Sequence, residues 1–190
     1  FDASKPIKTL EDMKGRRYRA PTPIDVAVMK ALGALPIGMP ATDMAESLQK
    51  GTIDGVVTDP LGVLAFQLGG MVKYYTPMFE SAISFGLVMS PKSYENLPSD
   101  MQKLVDQLGS RESSVEMGTW AWGEDFPRYL EYMKEANLTN VELAAADEKA
   151  MRERAEAIMA ERVKELEDKG LPGKAVYDKL KELSAKYAAE

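Results

Sequence analysis

The chain is 190 residues long and carries 24 Lys+Arg against 30 Asp+Glu, a formal charge of -6, with no Cys and no His. Without Cys there is no disulfide framework, thiol nucleophile or iron–sulfur site, and without His there is no imidazole base or imidazole-held metal. The acidic balance argues against non-specific nucleic-acid binding, which needs cations to neutralise phosphates. At 45% hydrophobic and 28% charged residues, the composition is that of a globular protein able to bury a core. No apolar run approaches the roughly 20 residues that a membrane-spanning helix requires. The opening Phe1-Asp2-Ala3-Ser4-Lys5 lacks an initiator Met and reads as processed or truncated.

The first 80 residues alternate strand-like and helix-like segments. Arg17 to Ala20 is a short strand candidate after a Lys14-Gly15 turn. Thr22-Pro23 supplies an N-cap and a first-turn proline for a helix whose apolar face is Ile24, Val28, Ala31 and Leu32, stopped at Gly33. Leu35 to Met39 is a second strand. Asp43 and Glu46 signal a helix start, and Lys50-Gly51 an end. Ile53 to Thr58 is a third strand, Asp59-Pro60 opens a third helix, and Lys73 to Thr76 is a fourth strand. Such alternation predicts a largely parallel sheet with helices on its faces.

The pattern then changes. Ser81 to Ser90 reads as one long strand, apolar enough around Phe85 to Met89 to be buried on both faces. Ser90-Pro91 caps a short helix. Ser99-x-x-Gln102 reads as a capping box opening a long helix towards Ala136, broken or kinked near Pro127. Leu138 to Leu143 is a last strand. Asp147 to Lys169 is a charged helix with a narrow stripe at Met151, Ala155 and Ile158. Pro172 starts a terminal helix carrying Val176, Leu180, Leu183 and Tyr187. Three segments follow: an α/β part over 1–80, a crossing strand and kinked helix over 81–143, and a helical wrap over 144–190.

Arg19 stands out chemically. It ends a predicted strand, and the crevice beyond strand ends is where open α/β sheets bind ligands. A guanidinium there can take a carboxylate with two parallel bonds. The competing reading is a surface Arg in the basic run of Lys14, Arg16 and Arg17. Asp59, also at a strand end, reads as an N-cap or as a ligand-facing acceptor. Phe85 reads as core or as an apolar ligand wall. The aromatics from Trp120 to Tyr132 read as packing. No nucleophile elbow, phosphate loop, dinucleotide fingerprint or calcium loop is present. No catalytic or metal-ligating residue and no cofactor is expected. A carboxylate-based hydrolase or lyase, and a helical interaction module, stay open as alternatives.

Several blocks resemble the TRAP-transporter substrate-binding proteins of the DctP family. They are Lys5-Pro6-Ile7-Lys8 with Asp12-Met13-Lys14-Gly15, then Arg19-Ala20-Pro21, and Pro36-Ile37-Gly38-Met39-Pro40. Lys50-Gly51-Thr52-Ile53-Asp54-Gly55 and Tyr94-Glu95-Asn96-Leu97-Pro98 follow in register. The resemblance implies a periplasmic receptor that captures a small organic acid between two α/β lobes and delivers it to the membrane permease subunits of a TRAP transporter. It aligns Arg19 with the family's carboxylate-binding Arg; with Asp59, Thr22 and Phe85 it makes up the candidate ligand-binding residues. It places Asp59 where the family commonly has a ligand-contacting Asn. That departure makes a simple dicarboxylate a poorer fit. The resemblance also implies that this chain is the carboxy-terminal part of a two-lobed receptor: a periplasmic-binding-protein-like lobe with a mixed, largely parallel sheet and long helices across it. Strand edges left open would then allow a fragment dimer.

Overall fold

A computed structural model describes residues 1–78 and 85–187. Strand β1 (Arg17–Ala20) lies between β2 (Leu35–Gly38) and β3 (Gly55–Val56), parallel to both. Strands β4 (Tyr74–Tyr75) and β5 (Thr139–Asn140) form a second parallel pair. Asp2 joins the two groups, bridging antiparallel to Gly55 and to Tyr74. The sheet is therefore mixed and largely parallel, as the alternation of strands and helices predicts.

The joint admits no side chain at Gly55, where a Cβ would meet the Phe1 carbonyl oxygen and the Tyr18 ring well inside contact distance. Phe1 is seated beside it, with its amino group donating to the Val56 carbonyl at 2.9 Å and its ring stacked on Tyr75 at 4.7 Å.

The helices start where the sequence signals them. Thr22 caps α1 (Pro23–Ala31): its hydroxyl donates to Asp25 Oδ2 at 2.5 Å and accepts from the Asp25 amide at 3.2 Å. Gly33 ends the turn at φ +94°, a left-handed conformation that favours glycine. Helix α2 (Met44–Gln49) follows a 3-10 turn over Ala41–Asp43, and the Asp43 side chain makes no cap bond. Asp59 caps α3 (Pro60–Ala65) through the Gly62 amide at 2.6 Å.

Two cores form. One packs Tyr18, Val28, Met29 and Leu32 against Met151 and Ala155 of α8 (Ala145–Asp168). The other packs Met44, Ile53, Val56, Val63, Leu68 and Met133. Met151 and Ala155 are the stripe that the sequence marks, so α8 covers α1. Helix α9 (Gly173–Tyr187) packs on α8, and Val176, Leu180 and Tyr187 stay 53%, 58% and 44% exposed. The Tyr187 hydroxyl also accepts from Arg111 at 3.3 Å.

The second half corrects two further expectations. The long strand over Ser81 to Ser90 is not found where the chain is described, since Phe85–Ser90 has no regular secondary structure. Residues 81–84 of that expectation lie outside the described residues. Phe85, Leu87 and Val88 are 80%, 101% and 93% exposed, so Phe85 is not core. An apolar run becomes a buried strand only where neighbours cover both of its faces, and no described element covers this one.

The long helix towards Ala136 is three helices: α5 (Ser99–Leu108), α6 (Arg111–Thr119) and α7 (Phe126–Glu135), after a short α4 (Pro91–Glu95). Ser110 caps α6 through the Ser113 amide at 3.2 Å, which breaks the run at Gly109-Ser110. A π-turn over Trp120–Glu124 precedes α7, whose first turn holds Pro127, so the break expected near Pro127 is present. The Ser99 capping box does not form. Gln102 turns back to the Tyr94 and Leu97 carbonyls, both at 3.1 Å, and ties α5 to α4 instead.

Candidate functional site

Arg19 is held by three strands. It sits near the carboxyl end of central β1, opposite Ile37 on β2 and Val56 on β3. Its guanidinium spans both neighbours: Nε donates to the Met39 carbonyl at 3.2 Å and Nη1 to the Val57 carbonyl at 3.0 Å. Those carbonyls lie just past the ends of β2 and β3, where the chain has left the ladder and needs donors. Arg19 is 7% exposed. Burial moves the guanidinium below its ordinary value, against the field of Asp25, yet an Arg remains charged in proteins. The carboxylate that acts on it is that of Asp25, itself fully buried.

That is unusual company for a buried cation. The neighbouring arginines are both matched: Arg16 forks onto Asp2 and Arg17 onto Asp54, at closest distances of 2.6 and 2.7 Å. Two of the five N–H groups of Arg19 are engaged by neutral carbonyls, and Nη2 has no hydrogen-bond partner among the described residues. Burying a cation is expensive; the field of the buried Asp25 carboxylate offsets part of that cost, and the spare donors of Arg19 stay open to a ligand.

Arg19 borders a cavity of about 540 Å³ lined also by Pro21, Thr22, Val26, Met39 and Pro40. Thr22 lines the same cavity as Arg19, and its hydroxyl is engaged by Asp25. Asp59 does not line this cavity; its Oδ1 is committed to the Gly62 amide, and no Arg19–Asp59 ion pair forms. Phe85 does not line it either. Val26, Met39 and Pro40 escaped the sequence reading. The signal was available: Met39 and Pro40 follow the end of β2, as Arg19 lies one residue before the end of β1, and parallel strand ends open on one crevice. A second crease of about 420 Å³, between α7 and β5, shares no lining residue with this one.

Among the described residues no group of three or more acidic side chains converges as a metal site. No helix among them is long and apolar enough to cross a membrane. A buried guanidinium beside a mostly neutral cavity, at the strand ends of an open α/β sheet, fits the lobe of a binding protein.

Comparison with known proteins agrees. The chain belongs to the bacterial extracellular solute-binding protein family 7, DctP, which matches residues 1–166. This is a family of binding proteins and not of enzymes. An uncharacterised protein of Salmonella typhimurium, YiiZ, is 29% identical over 160 residues, 83% of this chain and 47% of that protein. The C4-dicarboxylate-binding periplasmic protein DctP of Rhodobacter capsulatus is 25% identical over 154 residues, 79% of this chain and 45% of its own. A TRAP solute-binding protein from a marine metagenome, specific for aromatic acid ligands and solved with metahydroxyphenylacetate, superposes with a TM-score of 0.84 at 26% identity. That match covers 98% of this chain and 59% of the other. The chain thus spans about half the length of the curated relatives it matches.

Proposed function

We propose that this chain is the anion-holding lobe of a TRAP-type receptor, with Arg19 as the anchor for a small organic carboxylate. The observation that carries the reading is the buried Arg19 guanidinium bordering a cavity whose lining, among the described residues, holds no carboxylate. A ligand carboxylate engages the donors left over from the Met39 and Val57 carbonyls. The ligand classes in the names of the relatives, C4-dicarboxylates and aromatic acids, share only that carboxylate. Thr22, at the start of α1, shapes the cavity wall. Asp59 acts as a helix cap, and Phe85 meets the ligand only if further chain brings it there.

In the full-length protein a second lobe closes the site, by a hinge motion of the kind such receptors use. The receptor works in the periplasm and passes its ligand to membrane transporter subunits. Nucleic acid has no part in this. Nothing in the likenesses supports a specific dimer of this chain. Titration calorimetry on the full-length protein is the test. Arg19→Ala should weaken carboxylate binding by about 2–5 kcal/mol, the range for truncating one partner of a buried charge pair. Affinity unchanged by that substitution would refute the assignment.

A further inference from the structure

Behind the wall of the Arg19 cavity lies a second charged group. We propose that Asp25 sets the affinity of this site: a fixed carboxylate that opposes the ligand's own charge and keeps capture weaker than Arg19 alone would make it. This rests on the carboxylate reading of Arg19 and deepens it.

Asp25 stands in the first turn of α1, three residues after its cap Thr22. Thr22, Pro23 and Val26 line the cavity together with Arg19. Asp25 is 0% exposed, so it lies behind the wall that these neighbours form. Its Oδ2 accepts the Thr22 amide at 3.0 Å and the Thr22 hydroxyl at 2.5 Å. A carboxylate held by two donors in a close-packed turn keeps its place when a ligand arrives. Burial moves the Arg19 guanidinium below its ordinary value, and the field of Asp25 opposes that shift, so the two charges sense each other.

The charge of Asp25 is not needed for the other tasks at this position. Arg19 is oriented by the Met39 and Val57 carbonyls, and an arginine stays protonated without help. A capping box works equally with a neutral Gln at the place Asp25 occupies. The charge does act on a carboxylate docked at Arg19, because two anions then share one guanidinium. Like charges repel more strongly in a low-dielectric site than in water. The repulsion weakens capture, and in related complexes such differences fall mostly on the off-rate. A receptor that must pass its ligand on benefits from that. The sign of the effect does not depend on what further chain adds to the cavity, since Asp25 and Arg19 are both fixed within this lobe.

The test is Asp25→Asn in the full-length protein, stripped of co-purified solute and titrated by calorimetry with benzoate, succinate and malonate. Asn keeps the shape and an oxygen for the Thr22 amide, and loses the charge. Any of these acids that the unaltered protein binds should bind the variant at least about fivefold more tightly. Stopped-flow measurement should trace the gain to slower dissociation. The gain should persist in ~0.5 M salt, because buried charges are screened little. An Asp25 that serves only the fold would give weaker binding instead. Unchanged or weaker binding in Asp25→Asn overturns this proposal and leaves the carboxylate anchor standing. No acid bound by the unaltered protein, or undiminished binding in Arg19→Met, overturns the anchor itself. Asp25→Ser is read in the same way if circular dichroism shows that Asp25→Asn is unfolded. Failure of both variants to fold assigns Asp25 to the fold and overturns the proposal.

Discussion

Arg16 grips Asp2 through a two-pronged bond, with Nε at 2.8 Å and Nη2 at 2.6 Å from the carboxylate oxygens. The same carboxylate, 2% exposed, also accepts the Tyr18 hydroxyl at 2.6 Å and the amides of Ser4 and Lys5. Asp2 is thus the knot between the two strand groups, because its backbone bridges Gly55 and Tyr74 while its side chain holds the loop and β1. Burial and the adjacent Asp2 charge push the Tyr18 hydroxyl far above its ordinary value, so it stays a donor at every pH at which the protein is folded.

The first prediction follows from that geometry. Asp2→Ala strands a largely buried guanidinium and two backbone donors. Breaking a buried pair from one side typically costs about 3–5 kcal/mol. Asp2→Ala should lower the urea midpoint accordingly. Arg16→Ala should cost less, since the Tyr18 hydroxyl and both amides still satisfy Asp2. Equal losses in the two variants would show that the ion pair alone matters.

Acid should loosen the molecule through two other carboxylates. Lys5, the Thr9 hydroxyl and the amides of Lys8 and Thr9 hold Asp12 at about 2, down from its ordinary 3.8. Arg17 holds Asp54 below the same ordinary value. A carboxylate that is more acidic when folded gives stability that is complete above its unfolded value. That stability drains away as the pH falls from 3.8 towards about 2. Asp12→Asn and Asp54→Asn should each flatten the decline in melting temperature across that window and change its slope little near neutrality. A decline as steep as in the unaltered protein would show that other groups dominate the acid limb.

Much of the α/β half was legible because its signals are local. Thr22-Pro23 and Asp59-Pro60 act within one helical turn, Gly33 needs only its own φ, and the stripe of Met151 and Ala155 follows from helical period. Arg19 was legible as a strand-end residue. Its tether to Met39 and Val57 was not, because those carbonyls reach it only through strand pairing. The run from Phe85 to Met89 failed for a different reason. Hydrophobicity states that a segment gains from burial; it does not state that a neighbour within the same chain provides it. The Ser99 box failed because Gln102 had a better use, bonding back to α4.

The exposed run carries its own prediction. Phe85, Leu87, Val88 and Met89 lie close in sequence to α5, α6 and the π-turn after them, where Leu108, Val115, Met117 and Trp120 are also 65%, 51%, 66% and 58% exposed. Apolar side chains in such number on one half of a chain promote association. The 190-residue chain alone should bind a hydrophobic dye and scatter light more strongly as its concentration rises. Val88→Glu should reduce both signals, and because the side chain touches little, stability should move by less than about 0.5 kcal/mol. A loss well beyond that would mean that Val88 is buried in solution.

The last prediction separates binding from folding at Arg19. Its guanidinium sits desolvated, in the field of the buried Asp25 carboxylate, and contributes two hydrogen bonds to the Met39 and Val57 carbonyls. Each such bond, to a charged donor, contributes about 1.5–3 kcal/mol, while burying the charge opposes them by a comparable amount. Arg19→Met keeps most of the volume and removes both terms together. Ligand-free stability should therefore change by no more than about 1 kcal/mol in urea unfolding, small beside the loss from Asp2→Ala. The increase in melting temperature that saturating carboxylate gives the full-length protein should disappear, because stabilisation by a ligand follows its affinity. A structural arginine would show the reverse, with a large loss of ligand-free stability and a ligand-induced shift that survives. Residues that are costly to keep and nearly neutral to remove are the ones retained for what they bind.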